Sequence, residues 1–295
     1  MKTSHLLLTT LAASAAFAMS SASAALVTWG GSSGEYLTPG NWVGGSLPDT
    51  NAGDTAIING GAVTYTPGGD LHVHNGGILQ INGGSWTQAG GIAWIQLAGG
   101  SLNVAGGVFN QGTAANIVKN ASTVINVSAG TANFNGNLIN DVANNGQLNI
   151  TGGTVNVANE FKPISTFTMT AGVLDANLIS FADGPGSIIF TGGTISLNGA
   201  GGNSGFYGGG TKGLNFTTGS TGTLFFETYT IAELNADGFL TNGTIQLNGA
   251  SSALSFTVVE QNGGVSVSLV PEPSVMMLAC GGLGTVLFFR RRARM

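Results

Sequence analysis

TGGTVNV, residues 151–157, decides the fold. A glycine pair is followed by strict alternation of polar and apolar residues, the period-2 pattern of a strand with one face buried. The phrase returns as TGGTISL at 191–197 and TNGTIQL at 241–247, and more weakly as SAGTANF at 128–134 and TAGVLDA at 170–176. Aligning the glycine before each alternating run gives a register at Gly61, Gly84, Gly107, Gly130, Gly153, Gly172, Gly193, Gly222, Gly243 and Gly263. The intervals are 23, 23, 23, 23, 19, 21, 29, 21 and 20 residues. A recurrence on this scale marks stacked repeats.

A finer beat divides the first periods. Gly-Gly pairs begin at 60, 68, 76, 83, 90, 99 and 106, so three short alternating units, such as DLHVH (70–74) and SLNV (101–104), make one 23-residue period. Three strands and three tight corners are one coil of a triangular solenoid, whereas a β-sandwich has no threefold super-period. The expected fold is therefore all-β, a right-handed parallel β-helix (β-solenoid) with about 20–23 residues per coil. Val155, Val157, Ile195, Leu197, Ile245 and Leu247 should stack as inward ladders, with Thr154, Asn156, Ser196, Thr244 and Gln246 facing out. Repeated asparagines are expected to form hydrogen-bonded ladders at the corners. The longest interval holds GAGGNSGFYGGGTKG (199–213), read as a loop projecting from the solenoid.

Composition agrees. Glycine supplies 50 of 295 residues and charged residues only 7%, against about 25% in ordinary domains. Lys2, Arg290, Arg291, Arg292 and Arg294 lie near the termini, leaving Lys119, Lys162 and Lys212 as the cations of the body against twelve acids from Glu35 to Glu260. A body of that charge is unsuited to tracking phosphates, so nucleic-acid binding is excluded. The one cysteine, Cys280, lies in the tail, and the body has no disulfide to hold it.

Four segments follow. Residues 1–24 have a positive start, an apolar Leu6–Phe17 run and the small residues Ala22 and Ala24 before Ala25, the pattern of a signal peptide cleaved by signal peptidase after Sec export. Residues 25–58, with Trp29, Tyr36, Trp42, Pro39 and Pro48, are expected to cap the apolar end of the first coil. Residues 59–268 carry the repeats, and 270–295 form the tail. Its uncharged run Val275–Phe289 would span about 22 Å as a helix, short of the roughly 30 Å hydrocarbon core; the arginines after it extend its reach and orient the body outward as a single transmembrane helix.

Two resemblances attach to these ends. The order WGG, NW, P and AGDTAIINGG within residues 29–61 resembles the opening of secreted bacterial β-helix proteins of the autotransporter-like kind, mostly adhesins and surface proteins, some of them polysaccharide-degrading enzymes. The tail, Val-Pro-Glu-Pro-Ser, a glycine-containing apolar segment and Arg-Arg-Arg, resembles the PEP-CTERM sorting signal. That resemblance implies an exported bacterial protein recognised through Pro271, Glu272 and Pro273 by an exosortase, a membrane enzyme that processes the tail. It further implies transient inner-membrane insertion, and often a host that makes extracellular polysaccharide.

Chemistry is sparse in the body. Asp70, His72 and His74 alternate on one strand and leave the same face, either as a weak metal-binding row or as the solvent side of a strand whose core residues are Leu71 and Val73. Glu227, Glu233 and Asp237 offer carboxylates for a glycosidase, a chemistry that needs a pair opposed across a cleft; the alternative is exposed acids around a short IAEL helix. Polysaccharide lyases on β-helices resemble one another in using an arginine or lysine base beside an acidic calcium site, whereas this body has no arginine and three scattered lysines, which counts against a lyase. Trp86, Trp94, Phe206, Tyr207 and Tyr229 would stack on sugars if they faced outward, although the register puts Trp86 at a core position equivalent to Val155. These readings lead to an exported, non-catalytic surface or matrix protein needing no cofactor, with exopolysaccharide as an expected partner. The competing expectation is a glycan hydrolase or lyase on a β-helix scaffold.

Overall fold

The computed structural model describes residues 24–66, 70–89, 95–112, 117–119, 123–136, 138–139, 147–163, 165–181, 186–199, 206–207 and 213–270. The signal segment, the tail from Pro271 onward, Trp94 and most of 199–213 lie outside them.

The chain is a parallel β-solenoid. Its first face is a ten-stranded sheet running from Leu26–Thr28 and Thr55–Ile58 to Leu214–Phe216 and Ile245–Leu247. The second face starts with Gly34–Glu35 and Ala62–Tyr65 and continues coil by coil to Thr223–Phe226. The third is built of shorter strands, Leu71–His72, Ile95–Leu97, Ile117–Lys119 and Leu138–Ile139. One coil thus contributes Ile78–Ile81, Ser85–Gln88 and Ile95–Leu97, the three strands that the glycine beat predicts. Val108 pairs with Ser85 on one side and Thr131 on the other, so stacking follows the 23-residue period.

Alternation along each strand puts apolar side chains inside. On the second face Val63, Trp86, Phe109, Ala132, Val155, Leu174, Ile195 and Leu224 lie in register and are all buried. Trp86 stacks on Phe109 with centroids 5.0 Å apart, and Ala132 in the next coil leaves room for Phe134 to reach Phe109 at 5.6 Å. The outward residues Thr154, Asn156 and Ser196 are partly exposed, as expected.

The first of the shorter coils differs from its predecessor in two places. In VANEFK no glycine follows Val157, and the strand runs on from Thr154 to Lys162 across what was a corner, with an irregularity between Val157 and Glu160. Its far end joins the third face at Leu138–Ile139. The residues that shorten this coil are lost beyond that strand: Phe161 lies 23 positions after its partner Leu138, whereas Thr168 lies only 19 after Asn149.

The end of the repeat departs from the predicted register. Gly243 and Gly263 retain positive φ, yet Ile245–Leu247 pairs with Leu214–Phe216 on the first face rather than continuing the second. Consequently Thr244 and Gln246, expected to face out, are buried, and the Gln246 amide donates to the Gly243 carbonyl at 2.6 Å. The last strand, Gly264–Leu269, runs antiparallel to Thr223–Phe226 and is flanked by antiparallel Phe256–Gln261. A hairpin therefore closes the parallel stack, which the repeat alignment extended to residue 268. Phe206, assigned to a projecting loop, is a core residue: Phe206–Tyr207 pairs with Ile179–Ser180, and the Phe206 ring stacks on Phe181 at 5.8 Å.

At the other end the aromatic cap forms. Trp29, Tyr36 and Trp42 are buried edge to face at 5.0–5.1 Å, and both indole N–H groups donate to backbone carbonyls, of Ser32 and Tyr36. The segment is not wholly irregular, since Leu26–Thr28, Gly34–Glu35 and Thr55–Ile58 already belong to the ladders.

The corner glycines answer to two constraints. Gly130 has φ +71°, and a Cβ there would press on the Gly107 carbonyl oxygen of the preceding coil. Gly219 has φ +76° and open space around it. Gly219→Ala should cost about 1–2 kcal/mol, the left-handed penalty alone. Gly130→Ala should cost at least twice as much because the coils must part, a difference measured as the shift in urea midpoint.

Candidate functional site

Between the inward residues of the second face runs an outward column: Thr64, Thr87, Asn110, Asn133, Asn156, Asp175 and Ser196, one residue per coil. Identical amides stacked in register meet their own complement. Asn110 Nδ2 donates to Thr87 Oγ1 at 3.1 Å, Asn133 Nδ2 to Asn110 Oδ1 at 2.7 Å and Asn156 Nδ2 to Asn133 Oδ1 at 2.7 Å. A second ladder on the first face links Gln80, Asn103, Asn126 and Asn149 at 2.8–3.0 Å. Both ladders run along mid-strand positions; at the corners, where the sequence reading put them, Asn82 Nδ2 donates to Asn59 Oδ1 at 2.8 Å. Strand centres keep the same orientation from coil to coil, as corners of varying length do not.

The second-face ladder lies in a depression. Thr87, Asn110, Asn133, Asn156 and Asp175 form the floor of a groove of about 510 Å³, and Asn135 and Asn198 help line its side. From Thr87 to Asp175 the floor covers four coil steps, roughly 19 Å at about 4.8 Å per step. At its acidic end Asp175 Oδ1 accepts from Asn198 Nδ2 at 3.1 Å. Burial raises the Asp175 pKa, repulsion from Glu227 adds to the rise, and the Asn198 bond opposes it. Glu227 itself accepts from Ser196 Oγ at 2.8 Å.

The predicted acids have local partners. Thr230, Glu233 and the Ile231–Asp237 helix make a capping box: the Thr230 backbone N–H donates to Glu233 Oε2 at 2.8 Å and the Glu233 N–H to Thr230 Oγ1 at 3.3 Å. The bonds from Thr230 lower the Glu233 pKa. Asp237 accepts from the Tyr229 hydroxyl at 2.9 Å. The helix that the IAEL stretch suggests is present, and it draws Glu233 and Asp237 into its own ends.

Asp70, His72 and His74 sit beside buried Leu71 and Val73 as expected. His72 Nδ1 and His74 Nε2 are 3.4 Å apart, and burial, then His72, lower the His74 pKa. Asp70 Oδ2 instead accepts from Gln96 Nε2 at 2.6 Å. Among the described residues no group of three or more His, Cys, Asp or Glu could hold a metal ion. Of the candidate stacking aromatics, Trp86 and Phe206 are core, and Tyr229 is partly buried against Phe226 and Phe239. Trp94 and the side chain of Tyr207 fall outside the described residues, as do the signal residues Ala22, the tail motif Pro271–Pro273 and the arginines. Among the described residues no helix is long and apolar enough to cross a membrane.

The chain matches no family model, no curated protein and no solved structure. The groove was missed in the sequence, although the 23-residue recurrence of Asn110, Asn133 and Asn156 was available as its signal.

Because the folded state raises the Asp175 pKa, it favours the neutral acid over the unfolded chain. Stability should therefore decline as pH rises from the ordinary carboxylate range through the raised value. Asp175→Asn should remove that decline and melt a few degrees higher than the parent at neutral pH, the gain being modest because water screens a carboxylate this exposed. Melting curves of both proteins from pH 3 to 8 check the sign.

Proposed function

We propose that this chain is an exported, non-catalytic β-solenoid of the cell surface or extracellular matrix, sorted by an exosortase and associated with exopolysaccharide. The observation that carries the reading is the order of segments: a signal peptide, a glycine-rich body, and the Val-Pro-Glu-Pro-Ser, apolar and arginine tail. Such a tail holds the protein in the inner membrane through Val275–Phe289 until Pro271, Glu272 and Pro273 direct its processing. The coil is right-handed, the hand of nearly all parallel crossovers.

A structural role is supported by the body's low charge and by the bonds already made by Glu227, Glu233 and Asp237. A solenoid held by backbone ladders also suits export, since it depends on no disulfide.

Cells expressing the full chain and a Pro271, Glu272 and Pro273 triple-alanine version should be fractionated and the mature termini mapped by mass spectrometry. The parent should begin at Ala25, lack Arg290–Arg294 and reach the surface fraction, while the variant keeps its arginines and stays in the membrane. An intact arginine tail on the surface protein would overturn exosortase sorting. Shortening of host exopolysaccharide that is abolished by Glu227→Gln or Glu233→Gln would overturn the non-catalytic role.

A further inference from the structure

We infer that the groove floored by Asn110, Asn133 and Asn156 is a binding site for a neutral, linear polysaccharide lying along the solenoid axis. The inference rests on the exopolysaccharide association proposed above and assigns it to named residues.

An asparagine side chain has two N–H donors and an acceptor oxygen with two lone pairs. Asn133 spends one N–H on Asn110 and one lone pair on Asn156, and Asn110 spends one of each on Thr87 and Asn133. Each keeps one donor and one acceptor at the groove floor, and the ladder fixes the amide plane that presents them. The result is a row of paired donors and acceptors repeating every coil. Hydroxyl groups, which both donate and accept, are the chemical complement of such a row. A polymer of sugars supplies them at a similar repeat.

The surroundings narrow the class. The described residues lining the groove include no lysine or arginine, and Asp175, with Glu227 close enough to raise its pKa, gives one end negative character. Polyanions, including nucleic acids and uronate chains, are therefore disfavoured. The strand backbones beneath are already paired on both edges, so a peptide cannot bind by adding a strand. Phe134, the aromatic among its described lining, is only 1% exposed, so the site relies on several weak contacts along one chain, which favours long ligands over single sugars.

The first-face ladder supplies the control. Asn103 and Asn126 make the same amide-to-amide bonds but do not line the groove. Full-length protein purified in detergent and immobilised for biolayer interferometry should bind at least one of hydroxyethyl cellulose, dextran and galactomannan saturably, and alginate, a linear polyanion, more weakly. Asn133→Ala with Asn156→Ala should weaken that binding tenfold or more, whereas Asn103→Ala with Asn126→Ala should leave it within twofold. Asn133→Asp, which keeps size and acceptor, should also weaken it and guards against loss of the fold in the alanine pair. Absence of saturable binding to all three neutral polymers, preference for alginate, or equal loss in both alanine pairs would overturn the assignment. Such failure would leave tail processing, tested separately by terminus mapping, unaffected.

Discussion

From Ser85 to Thr223 each coil hangs on a hydrogen bond from a strand's first N–H to the carbonyl of a corner glycine one coil earlier. Val108, Thr131, Thr154 and Val173 donate in turn to Gly84, Gly107, Gly130 and Gly153, each at 2.9 Å. The glycine carbonyl can take that direction because φ is positive, and the coils can approach because no Cβ intervenes. Strand pairing, inward stacking and outward ladders all inherit their register from this contact.

With the register set, like residues meet like. Inside, this places ring on ring and demands that large and small side chains be balanced between coils, as Phe109, Ala132 and Phe134 illustrate. Outside, it is tolerable only for side chains that complement themselves. Stacked carboxylates or ammonium groups would repel at each step, whereas amides donate upward and accept downward. Asp175 interrupts the second-face column, and burial, then Glu227, raises its pKa. A body so poor in charged residues is the compositional consequence of repetition.

A stack of open edges also needs ends. Buried aromatics close the first coil, and an antiparallel hairpin closes the last by replacing a further parallel strand with one that cannot template another coil. The candidate groove lies well between these ends, from Thr87 to Asn198.

Much of this was legible in the residues. Glycine spacing and alternation sufficed for the solenoid, its three strands per coil, the burial of Val155, Val157, Ile195 and Leu197, and the core role of Trp86, because those features depend on local turn chemistry and a two-residue period. Tertiary structure decided what depends on neighbours one coil away: the asparagines meeting mid-strand, Ile245–Leu247 changing faces, and the final strands turning antiparallel. TNGTIQL and TGGTISL are nearly the same phrase, yet Gln246 is buried and Ser196 is not. A local pattern specifies that a strand forms with two unlike faces; which face is buried, and beside which strand, is set by the coil already in place.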